Sequence, residues 1–352
     1  MAWLLARDEI QVLPTALPAW KLKSLLASLL RSAARPAVFT ASMRDLQHLS
    51  AKITNHSLEP DWQVVQWFDR RFLADFVVSA NVLPDVCPAG VLPNGTAAVV
   101  KPDWLRAFPF KEAIADIGCA MSLAEVTADL ESLPALWNLL YLRLLSLGKT
   151  VLGSGNHFID CCADQTGRFY ILVHVGSRME FSEREAFSFE RDYERYVARA
   201  AANHREIWSV VADVFLRVGV PLHLPHDTVE HAGADMVLRK GVTACRPGDP
   251  LLIASSFDDE IIVGRGALST QTLGASMSHG TGRNRSRAEA KEIDVDQSSL
   301  RRRILIPDAL PDHSWRLESP IHYRRSADVL VNLAPHIDIA ARLTPIAFMG
   351  GF

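Results

Sequence analysis

The chain is 352 residues long, 49% hydrophobic and 22% charged, with a formal net charge of −3. That much apolar sequence can bury a sizeable core and excludes a disordered chain, while the slight acidity excludes indiscriminate coating of nucleic acid but leaves room for a local basic cleft. The cysteines, Cys87, Cys119, Cys161, Cys162 and Cys245, are scattered and odd in number, so no disulfide framework is expected and any special cysteine is a ligand or a nucleophile.

In chain order, MAWLLARDEI brings Asp8 and Glu9 too early for the apolar core of a signal segment, and no later apolar run is long enough for a bilayer. A cytoplasmic protein that meets no membrane is expected. Helical spacing predicts core helices over 19–34 and 135–148, the second stopped by Gly148. FYILVHV at 169–175 reads as a buried strand, and Cys161 and Cys162 are expected to finish another. The longest helical signal runs from Ser182 to about Val218, with charges alternating with Phe, Tyr, Val and Trp. PLLIAS (250–255) and EIIVG (260–264) again read as strands. With no internal repeat, low-complexity segment or Pro/Gly-rich linker, one α+β domain is expected over 1–352.

Four segments each place a metal-capable side chain beside glycine or proline at the end of an apolar run: ADIGCAM (115–121), GSGNHFID (153–160), HVGSR (174–178) and LPHDTVEH (224–231). Asp116, Cys119, His157, His174 and His226 would form a mixed set suited to Zn²⁺ or Mn²⁺ and poorly suited to Ca²⁺. Taken singly, each is equally a core filler or a satisfied strand-end histidine, and His223 and His231 are alternative ligands. GASMSHGTGRNRSR (274–287) is different. His279 precedes a Gly-x-Gly turn, and Arg283 and Arg287 bring planar donors matched to phosphate oxygens. A neutral imidazole there could attack phosphorus if a carboxylate such as Asp85 fixed its tautomer; the alternative is a solvated, Arg-rich helix start. The run Arg301, Arg302, Arg303 reads as solvated surface or as an RNA contact.

LPDVCPAG, DIGCAM, GSGNHFID, HVGSR, PHDTVE, LRKGVTACRPGD and SHGTGRNRSR follow one another in an order that resembles the RtcB family of GTP-dependent RNA ligases. These motifs run from about residue 80 to the C-terminus, and residues 1–80 are not diagnostic. The resemblance implies an α+β domain with mixed sheets around a central metal and nucleotide cleft. It implies that His279 takes GMP from GTP and passes it to an RNA 3′-phosphate, itself opened from a 2′,3′-cyclic phosphate, before a 5′-hydroxyl displaces GMP. By the same resemblance Asp116, Cys119, His157, His174 and His226 hold a pair of Mn²⁺ ions with Cys119 bridging, and Asp85 orients His279. Asn156, Phe158, Asp160, Ser256, Gly280, Gly282, Arg283 and Tyr323 then line the nucleotide site, Tyr323 in the guanine pocket. RNA ends, of tRNA or rRNA, are the implied partners, with an accessory activator protein allowed.

Departures from the family pattern gather around the nucleotide. Gly350 stands where the family's tail carries a guanine-contacting lysine, and Asp160 where it carries a glutamate. ASSFDDE, with Phe257, Asp258 and Asp259, replaces a phosphate-proximal loop. Cys87 replaces a histidine, and Asp227 follows His226 where asparagine is usual. The resemblance is to a divergent branch akin to release-factor-H-associated members acting in RNA repair. A metal-dependent phosphodiesterase or cyclic-phosphate hydrolase and a non-catalytic RNA-end-binding paralogue are the alternatives.

Overall fold

The computed structural model describes residues 43–153, 156–177, 183 and 187–350. The helix expected over 19–34, together with Ser154, Gly155, Arg178, Ser182, Gly351 and Phe352, lies outside the described residues. The chain divides after His48, and the fold below is that of the unit beginning at Leu49.

The strands are β1 (Ile53–Asn55), β2 (Val77–Cys87), β3 (Asn94–Val100), β4 (Ala120–Val126), β5 (Phe158–Ala163), β6 (Phe169–Val175), β7 (Leu222–Pro225), β8 (Asp227–Ala232), β9 (Asp235–Lys240), β10 (Val242–Ala244), β11 (Pro250–Ile253), β12 (Ile261–Gly266), β13 (Ser276–Ser278) and β14 (Ile337–Gly350). They form a seven-stranded sheet in the order β11-β12-β14-β5-β6-β4-β7, a five-stranded sheet in the order β1-β2-β3-β9-β8, and the pair β10-β13. The architecture is α+β. The larger sheet pairs antiparallel throughout, and the five-stranded sheet is mixed through one parallel pair, β1 with β2.

The seven-stranded sheet is buried on both faces, which its strands announce as near-continuous apolar runs rather than alternation. One face, with Ile159, Cys161, Ile171 and Val173, packs against Trp137, Leu140, Tyr141 and Leu144 of the helix Leu133–Leu145 and Ile207, Trp208 and Val211 of the helix Phe189–Val214. The other carries Met121, Cys162, Leu172 and Leu224 against Leu252 and Ile261. Cys161 and Cys162 thus sit inside β5, on opposite faces. Pro345 is tolerated within β14 because the register slips between Pro345 and Ala347, removing the ladder bond that proline cannot make.

The expected strands over 169–175, 250–255 and 260–264 are β6, β11 and β12. The long helix is shorter than its sequence signal. It ends at Val214 because Phe215 turns extended (φ −99°, ψ 142°) to bury its ring in the core. Trp137 is fully buried and its indole N–H points at the Phe348 carbonyl on β14. Trp137→Ala is expected to cost roughly 3–5 kcal/mol, read as a lower urea midpoint at unchanged slope.

A candidate metal centre beside a histidine

The chain leaves the larger sheet at Pro225 and enters the five-stranded sheet at Asp227, and His226 is the residue between. Its backbone is clamped there: His226 N–H donates to the Cys119 carbonyl at 2.8 Å, and its carbonyl accepts from Val242 N–H at 3.1 Å. Cys119 immediately precedes β4 and His157 immediately precedes β5, while His174 lies near the end of β6, in register with Met121 and Phe158. Four separate segments therefore deliver their side chains to one point at the sheet junction.

Cys119 Sγ lies 3.3 Å from His174 Nε2 and 3.6 Å from His157 Nε2, His174 Nε2 lies 3.2 Å from His226 Nε2, and His157 Nε2 lies 2.8 Å from Asp116 Oδ2. Ligands sharing one tetrahedral ion at thiolate and imidazole bond lengths stand about 3.5 Å apart. Two sets gather all their donor atoms within 4.8 Å of one another, Cys119–His174–His226 and Asp116–Cys119–His157, and they share the cysteine. The tautomer of His174 is settled by geometry: Nδ1–H donates to the Asn156 carbonyl at 3.0 Å, so the neutral ring turns its Nε2 lone pair into the cluster. Burial holds His174 and His226 well below the ordinary imidazole pKa, keeping both neutral as ligands must be. Burial, with Asp116 and Asp227 adding to it, pushes the Cys119 thiol well up, so a thiolate here requires an adjacent cation. Nδ1 of His157 and of His226 are buried without a hydrogen-bond partner. Donor types, spacing and polarity all fit a thiophilic or borderline divalent metal, with Asp116 steadied by Ser177 Oγ at 3.2 Å. Gly176 is required beside it, since a Cβ there would lie 2.3 Å from Asp116 Oδ2.

His279 follows β13 and its ring stacks on His226 at 4.3 Å between centroids. Its Nδ1–H is shared between the Gly241 carbonyl and Asp85 Oδ2, the latter at 3.1 Å, and Ser278 Oγ donates to Asp85 Oδ1 at 2.8 Å. Nε2 is left with its lone pair and no protein partner among the described residues. Burial alone would lower the His279 pKa, but Asp85, together with Asp227 and the Gly241 carbonyl, outweighs it and holds the imidazole above its ordinary value. Gly241 is itself pinned: its N–H donates to Asp227 Oδ1 at 2.7 Å. Burial pushes the Asp227 carboxyl up to about 6.

The other sequence candidates divide. Asn156 is exposed and lends its carbonyl to His174, while Phe158 stacks on Phe348 and meets His174 edge-on. Gly280 bridges to Ala254, and the Gly282 carbonyl accepts Arg324 N–H at 3.0 Å. Arg283 is not free to face a phosphate with its whole fork. It donates to the Leu317 carbonyl and the Tyr323 hydroxyl, both at 2.9 Å, and lies over the Tyr323 ring, leaving only Nη2 without a partner. Arg287 is drawn to Glu318 at 2.8 Å, and Tyr323 donates its hydroxyl to the same buried carboxylate. A buried acid attracts the guanidiniums expected to serve an external anion. Asp160 is enclosed in β5, its carboxyl pKa pushed well above the usual range by burial and its Oδ1 unpartnered.

Phe257 is a core residue against Phe348 and Trp315, while Asp258 pairs with Arg325 at 2.6 Å and accepts from Ser256. At Gly350 a Cβ would lie 2.7 Å from Phe348 Cζ, so the place of a longer side chain is taken by that ring. Arg301 pairs with Asp312 at 2.7 Å and covers Trp315, whereas Arg302 and Arg303 are exposed.

Sequence reading missed the supports. Gly241 and Lys240 lie within LRKGVTACRPGD and Ser278 opens SHGTGRNRSR, but nothing in those motifs singles them out, and Asp227 stood out only as a departure. Lys240 donates to the carbonyls of Ala89 and Leu92, each at 2.8 Å, and burial lowers its pKa to about 8.

Residues 179–351 match the family model described as tRNA-splicing ligase RtcB. The RNA-splicing ligase RtcB1 of Escherichia coli ATCC 25922 is 26% identical over 198 residues, covering 43% of this chain and 48% of that protein. The RNA-splicing ligase RtcB of Escherichia coli K12 is 25% identical over the same shares. The match thus spans about half the length of these curated relatives. His226, His279 and Tyr323 fall inside the family match, while Asp85, Asp116, Cys119, His157 and His174 precede it and are joined to it by the fold. The family match and the two relatives show that the C-terminal half of this chain is similar to RtcB ligases.

Proposed function

We propose that the chain is a divalent-metal-dependent RNA ligase that joins a 3′-phosphate or 2′,3′-cyclic phosphate end to a 5′-hydroxyl end through a nucleotidyl-histidine at His279. The observation that carries the reading is a partly buried imidazole with Nδ1 tied to a carbonyl and a carboxylate, Nε2 without a protein partner among the described residues, and its ring stacked on a histidine of a metal-capable cluster. RNA binding alone needs none of these.

His279 Nε2 attacks the α-phosphorus of GTP. The N–P bond forms as the bond to pyrophosphate breaks, and Asp85 balances the charge that appears on the ring. Asp116, Cys119, His157, His174 and His226 would hold a pair of Mn²⁺ ions, which when bound would supply neutralisation of the phosphates and of the departing oxygens. Gly241 and Asp85 keep the Nδ1 proton in place, so the ring neither turns nor presents the wrong nitrogen. The GMP passes to the RNA 3′-phosphate, restoring the imidazole, and the 5′-hydroxyl then displaces it. RNA ends from tRNA or rRNA, a cytoplasmic setting and an accessory activator belong to the same reading, with the catalytic region lying within 80–352.

Incubation of Mn²⁺-loaded protein with α-labelled GTP, and with ATP in parallel, is expected to give an acid-labile adduct that His279→Ala abolishes. The enclosed Asp160 and the side-chain-free Gly350 make the preference between the bases an outcome of the same assay. Metal-loaded wild type that takes up no label would shift the reading to hydrolysis of cyclic phosphates.

Cys119→Ala is expected to strip metal from both sets, and His157→Ala from one, by elemental analysis after loading. Asp227→Asn keeps an oxygen for the Gly241 N–H and is expected to label within about threefold of wild type. Asp227→Ala loses that bond and is expected to label about tenfold more slowly. Equal rates for the two variants would remove Asp227 from the support of His279.

A further inference from the structure

The helix Phe189–Val214 supplies none of the metal-capable side chains of the cluster, yet one face of it touches both turns on which the Asp116, Cys119 and His157 set depends. Ala200, Asn203 and His204 share that face, the last two lying three and four residues beyond the first. The turn from Asp116 to Cys119 is closed by Cys119 N–H donating to the Asp116 carbonyl at 3.0 Å. Gly118 lies within it at φ +69°, and a Cβ there would stand 3.1 Å from Ala200 Cβ, so the helix seats directly on this turn.

The second turn begins where β6 ends. His204 Nε2–H donates to the Val175 carbonyl at 3.0 Å, and Asn203 Nδ2–H donates to the Gly176 carbonyl at 2.8 Å. Two adjacent helix residues thus hold two consecutive carbonyls. His204 is oriented for this by Ser122, whose hydroxyl donates to its Nδ1 at 2.8 Å and accepts from Trp208 Nε1–H at 2.8 Å. The two carbonyls differ in what depends on them. Val175 is still inside β6, in register with Ala120, so strand pairing already places it. Gly176 lies past that pairing, and the Asp116 carboxylate fills the space where its Cβ would be. Ser177, fully buried, follows and donates to Asp116 Oδ1 at 3.2 Å, while Asp116 Oδ2 faces His157 Nε2 at 2.8 Å.

We infer that Asn203 is a positioning residue for one metal position of the cluster. By holding the Gly176 carbonyl it aims the Asp116 carboxylate at an ion shared with Cys119 and His157. The position at Cys119, His174 and His226 does not depend on it, because His174 is set by strand register and the Asn156 carbonyl, and His226 by its backbone bonds to Cys119 and Val242. A carboxylate ligand keeps its direction only through such outer partners, and losing the amide donor would strip a buried carbonyl of this bond. The inference rests on the reading that both sets take a divalent ion.

The test is titration of metal-free full chain with Co²⁺, followed by calorimetry and by the visible and thiolate charge-transfer bands, with no nucleotide or RNA present. Wild type is expected to take up two ions. Asn203→Asp keeps the shape and loses the donor, and Asn203→Ala loses it without adding charge. Each is expected to hold one ion at wild-type affinity and the other about tenfold more weakly. Paired variants identify the position: on His226→Ala, adding Asn203→Ala should still weaken the remaining ion about tenfold, and on His157→Ala it should change nothing. Val211→Ala, which opens the core two turns further along the same helix, should bind both ions as wild type does. Equal losses on the two backgrounds, or a loss in Val211→Ala as large as in Asn203→Ala, would mean general loosening and overturn the inference. Unchanged uptake by the Asn203 variants overturns it too and leaves the two-ion reading standing. A wild type that takes up one ion or none removes that reading as well.

Discussion

A buried thiol, three imidazoles and a carboxylate held within contact of one another are the constraint on which the rest of the structure turns. Their donor atoms converge where burial pushes the thiol pKa up and the His174 and His226 pKa values down. A cation at the centre would convert these close contacts into ligand bonds and favour the thiolate, so the cluster reads as a metal site. The fold is arranged to make it. His226 occupies the residue at which the chain crosses between sheets, and its backbone bonds to Cys119 and Val242 fix where β4, β7 and β8 converge. The cluster is a product of sheet topology, which is why its members are spread over more than a hundred residues of sequence.

The histidine beside the cluster is held by a different device. Side chains alone would leave the His279 ring free to turn, whereas a backbone carbonyl has a fixed direction, and Gly241 supplies one from the corner between β9 and β10. Asp227 then holds the corner, and Asp85 holds the ring's charge. The two acids act through different atoms, one on the scaffold and one on the imidazole. An acid rather than an amide at Asp227 puts a carboxyl beside the Gly241 corner, and burial pushes its pKa up to about 6.

How much of this was legible in the sequence depends on whether a feature is local. β6, β11 and β12 could be read from apolar runs because their strands are buried on both faces, and the helix after Leu133 from its spacing. The metal-capable residues could be suspected because each sits where an apolar run meets glycine or proline, the signature of a strand end. What could not be read is pairing. Nothing in ASMSHGTGR says that His279 leans on Gly241, or that Arg283 and Arg287 turn toward Glu318, because a buried carboxylate more than thirty residues away decides both arginines. Phe257 shows the same limit: an aromatic in a polar loop suggests a binding surface, but the ring fills the core beside Phe348.

The pairing of β4 with β7 carries the argument beyond the cluster. Alternation along an antiparallel pair forces whatever lies near Cys119 and His226 to be matched, a few residues on, by neighbours that share one face, here Ser122 and His223. A helix covering that face must either fill the space above them or leave a cavity. It presents Ala201, the smallest residue of its stripe, opposite them, where a leucine at the same spacing would pack. The register that assembles the metal-capable cluster on one face of the two strands therefore also sets where an opening forms on the other face.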